Sequence, residues 1–156
     1  MDNGDATWTQ WRSLPGFLGG QGMPVRILIA DDDVSIRCLL RRILEERPGW
    51  EVCGEAANGN DAVAKIKQLA PDLAIIDLAM PDKNGMEAAR QIFATFPFTA
   101  MLLLTVQEVS GELARAAREA GFRGAVTKGS GREVVMAVET LLDKGTLFDA
   151  EEFPHA

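Results

Sequence analysis

Five short apolar runs recur along the chain, and each is followed by a segment whose apolar residues return at helical spacing. The runs are VRILIA, WEVCGEA, DLAIID, AMLLLT and GAVTK. After the first, Ile36, Leu39, Leu40, Ile43 and Leu44 recur at i, i+3, i+4, i+7 and i+8, which makes one apolar helix face. Asp33 or Ser35 can cap its start, and Pro48-Gly49 ends it. A second helix is predicted over Asp61 to Ala70, with Ala62, Ile66 and Leu69 on one side. Met86, Ala89, Phe93 and Phe96 line a third, and Leu113, Ala116, Ala117 and Ala120 a fourth closed by Gly121. Val134, Val135, Val138, Leu141 and Leu142 line the fifth. Strands alternating with helices predict an α/β fold, a parallel sheet wound on both faces. DLAIID is apolar without alternation, as a strand covered on both faces should be.

In such sheets, ligands bind beyond the carboxyl ends of the strands. Strand one ends in Asp31 and Asp32, strand three in Asp77, strand four in Thr105 and strand five in Lys128. All five side chains are expected on one rim. Taken singly, each has an ordinary explanation. A strand-end Asp often caps a helix or starts a turn. Thr suits strands, and a Lys is commonly a solvated charge. Together they do not reduce to that. Three carboxylates on one rim repel, and each is costly to desolvate. A divalent metal relieves that cost, and an all-oxygen donor set with few carboxylates suits Mg²⁺. Lys128 and Thr105 beside it make a cradle for an oxyanion such as phosphate. A carboxylate there can itself take a phosphoryl group as an acyl phosphate.

Composition narrows the alternatives. The 156 residues are 47% hydrophobic and 25% charged, enough for one domain with short appendages. A formal net charge of -7 with no Lys/Arg-rich run argues against direct binding to nucleic acid or an anionic membrane. The single histidine, His155, cannot anchor a zinc site or a His-dependent triad. Cys38 and Cys53 lack metal-ligand spacing and read as reduced structural thiols. No stretch reaches the ~18 apolar residues of a membrane span. The N-terminus lacks a secretory pattern, which makes the cytoplasm the expected location.

The motifs ILIADDD, IIDLAMPDKNG, LLLT and AVTK stand in that order. With them the sequence resembles a receiver domain of the two-component response regulators over residues 24–144. DLAMPDKNG, EAGFRGAVTK and a late KGTLF are most similar to receivers joined to a helix-turn-helix DNA-binding domain. The resemblance implies a flavodoxin-like, doubly wound five-stranded parallel sheet of order 2-1-3-4-5 with five helices. It implies that Asp77 accepts a phosphoryl group from a histidine kinase or phosphotransfer protein. Asp32, Asp77 and the Ala79 carbonyl would bind Mg²⁺ directly, and Asp31 through water. Lys128 would pair with the phosphoryl group, and Thr105 would hydrogen-bond it and couple it to nearby loops. Signalling would run through about residues 109–143 to a downstream protein, with a homodimer also open.

Three departures from the family pattern matter. Ala125 stands where Tyr or Phe is frequent, Gly129 where Pro often follows the lysine, and Ala79 and Gln107 occupy positions that tune attack of water on the acyl phosphate. Residues 1–23, rich in Gly and carrying Trp8 and Trp11, read as a flexible arm, with Met23 as an alternative start. Residues 145–156 form a tail in which Leu147, Phe148 and Phe153 are expected to fold back on the core. A tail this short is expected to hold no DNA-binding domain, so the expectation is a stand-alone switch that is not an enzyme, or else a fragment or remnant of a longer regulator. The alternatives are a phosphate-independent docking module and, less favoured, a Mg²⁺-dependent phosphatase for small substrates. The phosphatase would want a second acid where Ala79 stands.

Overall fold

The computed structural model describes residues 22–148. The arm with Trp8 and Trp11, and Phe153 and His155 in the tail, lie outside them. The elements alternate as β1 (Val25–Ala30), α1 (Val34–Glu45), β2 (Trp50–Ala56), α2 (Gly59–Leu69), β3 (Leu73–Asp77), α3 (Gly85–Thr95), β4 (Ala100–Thr105), α4 (Gly111–Ala120), β5 (Gly124–Thr127), α5 (Gly131–Leu142) and β6 (Leu147–Phe148). All pairings are parallel, in the order β2-β1-β3-β4-β5-β6. The fold is the doubly wound, flavodoxin-like sheet that the sequence predicts, with one correction: the sheet has six strands rather than five. The added strand comes from Leu147 and Phe148, which pair with Gly124 and Ala125. No helix among the described residues is long and apolar enough to cross a membrane.

Each face of the sheet carries its own apolar layer. Ala62 and Ile66 of α2, Ala88, Ala89 and Ile92 of α3, and Ala114, Ala117 and Ala120 of α4 cover one face. Leu40 and Leu44 of α1 and Val134, Ala137, Val138 and Leu141 of α5 cover the other. The central strands β3 and β4 are buried along their whole length, which explains their unbroken apolar sequence. Two helix faces differ from the predicted stripes. Leu39 and Phe93 are about half exposed, at 48% and 47%. In α3 the buried stripe is Ala88, Ala89 and Ile92, so small residues bring the helix close to the sheet and Phe93 is left at its edge. The ring of Phe93 instead covers Gly121, the left-handed C-cap of α4 with φ of 106°, where a Cβ would collide with it.

Caps place the helix starts beside the strand ends. Asp33, not Ser35, caps α1 by accepting from the Ser35 and Ile36 amides. Asn58 caps α2, which begins at Gly59, two residues before its predicted start. Asn84 and Glu87 form a reciprocal capping box at α3. Ser110 and Ser130 cap α4 and α5.

Candidate functional site

The strand order reverses between β1 and β3, because β1 sends its connection to β2 on one side and β3 lies on the other. A crevice at the carboxyl ends follows from that reversal, and Asp31 and Asp77 flank it. Asp31 follows the last residue of β1 and Asp77 ends β3; they are 0% and 3% exposed. Lys128 follows the last residue of β5 and reaches back across β4. Its Nζ lies 2.8 Å from Asp31 Oδ2 and 3.1 Å from Asp77 Oδ1. The contact to Asp31 Oδ2 is an ion pair without hydrogen-bond alignment, and this buried oxygen makes no hydrogen bond among the described residues. Asp31 Oδ1 accepts from the Asp33 amide at 2.9 Å.

Asp32 projects into solvent beside this pair, and Asp31, Asp32 and Asp77 each offer an oxygen within 4.8 Å of the others. Thr105, 2% exposed, ends β4 between the strands that carry Asp77 and Lys128. Its carbonyl accepts from the Lys128 amide at 2.9 Å, which anchors the lysine backbone to the rim. Its Oγ1 accepts from the Gln107 amide at 3.1 Å, so the hydroxyl proton can still be donated elsewhere. Ala79 is exposed in the loop after Asp77. The structure thus brings Asp31, Asp77 and Lys128 into contact, with Asp32 at metal-sharing distance and Thr105 on the adjoining strand end.

Electrostatics follow from this crowding. Burial raises the Asp77 carboxyl above the ordinary aspartate range, and the Asp31 charge adds to it; Lys128 pulls the other way without winning. Burial alone would lower Lys128, but the paired carboxylates of Asp31 and Asp77 outweigh it and hold the ammonium above the ordinary lysine range. One cation for three carboxylates leaves negative charge uncompensated. The donor set is all oxygen, one of those oxygens is buried without a hydrogen bond, and the cluster could hold a hard cation.

Sequence reasoning assigned no role to several residues that hold this rim in shape. Arg37 Nη1 donates to the Asp31 carbonyl at 2.6 Å, and its Nε pairs with Glu55 Oε1 at 2.9 Å. Gly85, the last residue of IIDLAMPDKNG, sits against the main chain of Asp77; a Cβ there would collide with the Asp77 carbonyl oxygen. Its amide donates to the Leu78 carbonyl at 2.9 Å, which closes the loop after the acid. The motif marked this glycine, whereas nothing in the spacing marked Arg37 or Glu55.

The sequence matches the response regulator receiver domain family over residues 27–139. It is 40% identical over 106 residues to a protein-glutamate methylesterase/protein-glutamine glutaminase of Anaeromyxobacter dehalogenans, covering 68% of this chain and 28% of that one. It is 35% identical over 118 residues to the response regulator UvrY of Escherichia coli, covering 75% of this chain and 54% of that one. This chain therefore matches roughly a quarter to a half of the length of these relatives. Among solved structures, a LuxR-family two-component response regulator from Aurantimonas sp. superposes with a TM-score of 0.76 at 34% identity, covering 80% of this chain and 89% of that one. With its rim of aspartates and lysine on a doubly wound sheet, the chain belongs to the receiver domain family of two-component response regulators.

Proposed function

We propose that the chain is a phosphoacceptor switch: Asp77 takes a phosphoryl group from a histidine kinase or phosphotransfer protein in a Mg²⁺-dependent reaction, and the phosphorylated form is read by another protein. The observation that carries this is the Lys128 ammonium held between the buried carboxylates of Asp31 and Asp77, with Asp32 beside them. Carboxylates of Asp31, Asp32 and Asp77, with the Ala79 carbonyl, would hold the ion. Bound Mg²⁺ supplies positive charge to offset the crowded carboxylates and the incoming phosphoryl oxygens.

The chain's own residues account for the rest. A carboxylate oxygen of Asp77 bonds to phosphorus as the bond from phosphorus to the donor imidazole nitrogen breaks. The imidazole keeps the bonding pair and takes a proton from solvent. Lys128, already paired with Asp77, follows the negative charge onto the phosphoryl oxygens. Thr105 can turn its hydroxyl proton toward them, and its partner Gln107 lies in the exposed loop 106–108 that leads to α4. A local charge event would thereby bias the loop and the surface of residues 109–143. The switch would occupy residues 24–144, act without binding DNA itself, and signal by protein contact. The methylesterase activity named for one relative belongs to that protein, of which this chain matches 28%.

The test is intact mass after incubation with a small acyl-phosphate donor or a phosphorylated histidine phosphotransfer protein, with and without Mg²⁺. The expected product is one labile phosphoryl adduct that requires Mg²⁺ and is lost on mild base treatment. No adduct from either donor on folded protein would leave the phosphate-independent docking module as the better reading.

A further inference from the structure

We infer that Arg37 is a positioning residue for the acidic cluster, fixing the β1–α1 turn that presents Asp31 and Asp32; this rests on the reading of the cluster as a Mg²⁺ site. Asp31 is held at every polar atom. Its amide donates to the Ala56 carbonyl at 2.9 Å, and Oδ1 accepts from the Asp33 amide at 2.9 Å. Oδ2 faces Lys128, and the carbonyl accepts from Arg37 at 2.6 Å. Apart from Lys128, Arg37 supplies the one side chain among these contacts. It lies one turn into α1, where its own amide donates to the Asp33 carbonyl at 3.1 Å. The same side chain therefore ties the helix to the strand end that precedes it.

The guanidinium also reaches sideways. While Nη1 holds the Asp31 carbonyl, Nε pairs with Glu55 near the carboxyl end of β2. The side chain is 16% exposed, so this fork is mostly shielded from water. A planar fork can serve two fixed acceptors at once, whereas a lysine ammonium is a point charge on a flexible stem. Glu55 is itself anchored independently: Arg41 Nε pairs with Oε2 at 2.8 Å, and Lys65 donates to the Glu55 carbonyl. The Arg37 charge is offset by Glu55, so its effect on the aspartates is one of placement more than of field. Asp32 lies between the two residues this network pins, and its ligand oxygen points where the turn directs it.

Partners that orient metal ligands commonly change affinity by about 10–100-fold when removed. The experiment is a Mg²⁺ titration followed by amide NMR shifts of residues 31–33, on wild type, Arg37→Ala, Arg37→Lys and Arg41→Ala. Arg41→Ala removes a guanidinium from the same glutamate without touching Asp31. Arg37→Ala is expected to raise the Mg²⁺ Kd about tenfold or more, with Arg37→Lys close to it and Arg41→Ala within about twofold of wild type. Adduct formation in Arg37→Ala should recover toward the wild-type rate when Mg²⁺ is raised to saturation. An unchanged Kd in Arg37→Ala, or equal losses in the Arg37 and Arg41 variants, would overturn the inference. Should Arg37→Ala not fold, an unchanged Kd in Arg37→Lys overturns it alone. Absence of any Mg²⁺-dependent shift in wild type would instead sink the metal reading, and this inference with it.

Discussion

Lys128 lies between two buried carboxylates, and its removal leaves like charges facing each other. Lys128→Ala is expected to slow phosphoryl transfer to Asp77 by about 10²–10³-fold, the range for losing one donor aimed at developing charge. Single-turnover transfer from a phosphorylated donor measures it, and a rate within a factor of about three of wild type would contradict the assigned role. Asp77 carries the opposite cost: burial and Asp31 raise its pKa, so keeping it ionised at neutral pH works against folding. In EDTA, Asp77→Asn should therefore stabilise the protein by roughly 0.5–2 kcal/mol, the scale commonly regained when functional strain is removed, as read from urea midpoints. Ala79 has a methyl group that cannot orient water, so the wild-type phosphoform should last at least as long as that of Ala79→Asn. Much faster hydrolysis in wild type would refute this. These residues were legible in sequence because each ends, or closely follows, an apolar run, and strand ends converge by topology. Arg37 and Glu55 were not, since long side chains that bridge separate elements leave no period to read.

Between elements, the least predictable feature was β6. Leu147 and Phe148 were expected to fold onto the core, but two residues are too few to show a strand period. Phe148 pairs with Ala125, is fully buried, and is covered by Arg118 of α4 at 4.2 Å from guanidinium carbon to ring centroid. The small side chain at position 125 leaves an aromatic ring as its neighbour on the next strand. Phe148→Ala should cost about 3 kcal/mol and release β6, seen as lower urea stability and faster amide exchange at Leu147; unchanged stability would mean that β6 adds nothing. The α1–β2 link gives a pH-dependent prediction. Burial opposes ionisation of Glu55, but Arg41 and Arg37 outweigh it and hold the carboxyl below its ordinary range. A carboxyl lowered by folding adds stability above its unfolded pKa of about 4.3 and loses it as pH falls through the folded value. The stability advantage of wild type over Glu55→Gln should therefore be present at pH 7 and shrink below about pH 4. An advantage that grows on acidification would contradict it.

Across the whole molecule, alternation of apolar runs and helical stripes was sufficient to specify a doubly wound sheet. Buried β3 and β4, with no polar position between them until Asp77 and Thr105, then place the chemistry at one end. The stripes misled where bulky residues outranked small ones: Phe93 stood for a face that Ala88, Ala89 and Ile92 fill, because close packing on a sheet favours small side chains. Mg²⁺ should stabilise the entire fold by mass action, by about 2.7 kcal/mol at a hundred times its Kd. Thermal unfolding should shift upward in wild type, hardly at all in Asp32→Asn, and return on adding EDTA. The most direct test of Asp77 as the phosphoacceptor is the position of the phosphoryl group. Borohydride reduction of the acyl phosphate converts the labelled aspartate to homoserine, which peptide sequencing by mass spectrometry locates. Homoserine is expected at position 77 alone, formed only when Mg²⁺ was present during labelling. Homoserine at position 31 or 32, or label independent of Mg²⁺, would contradict it.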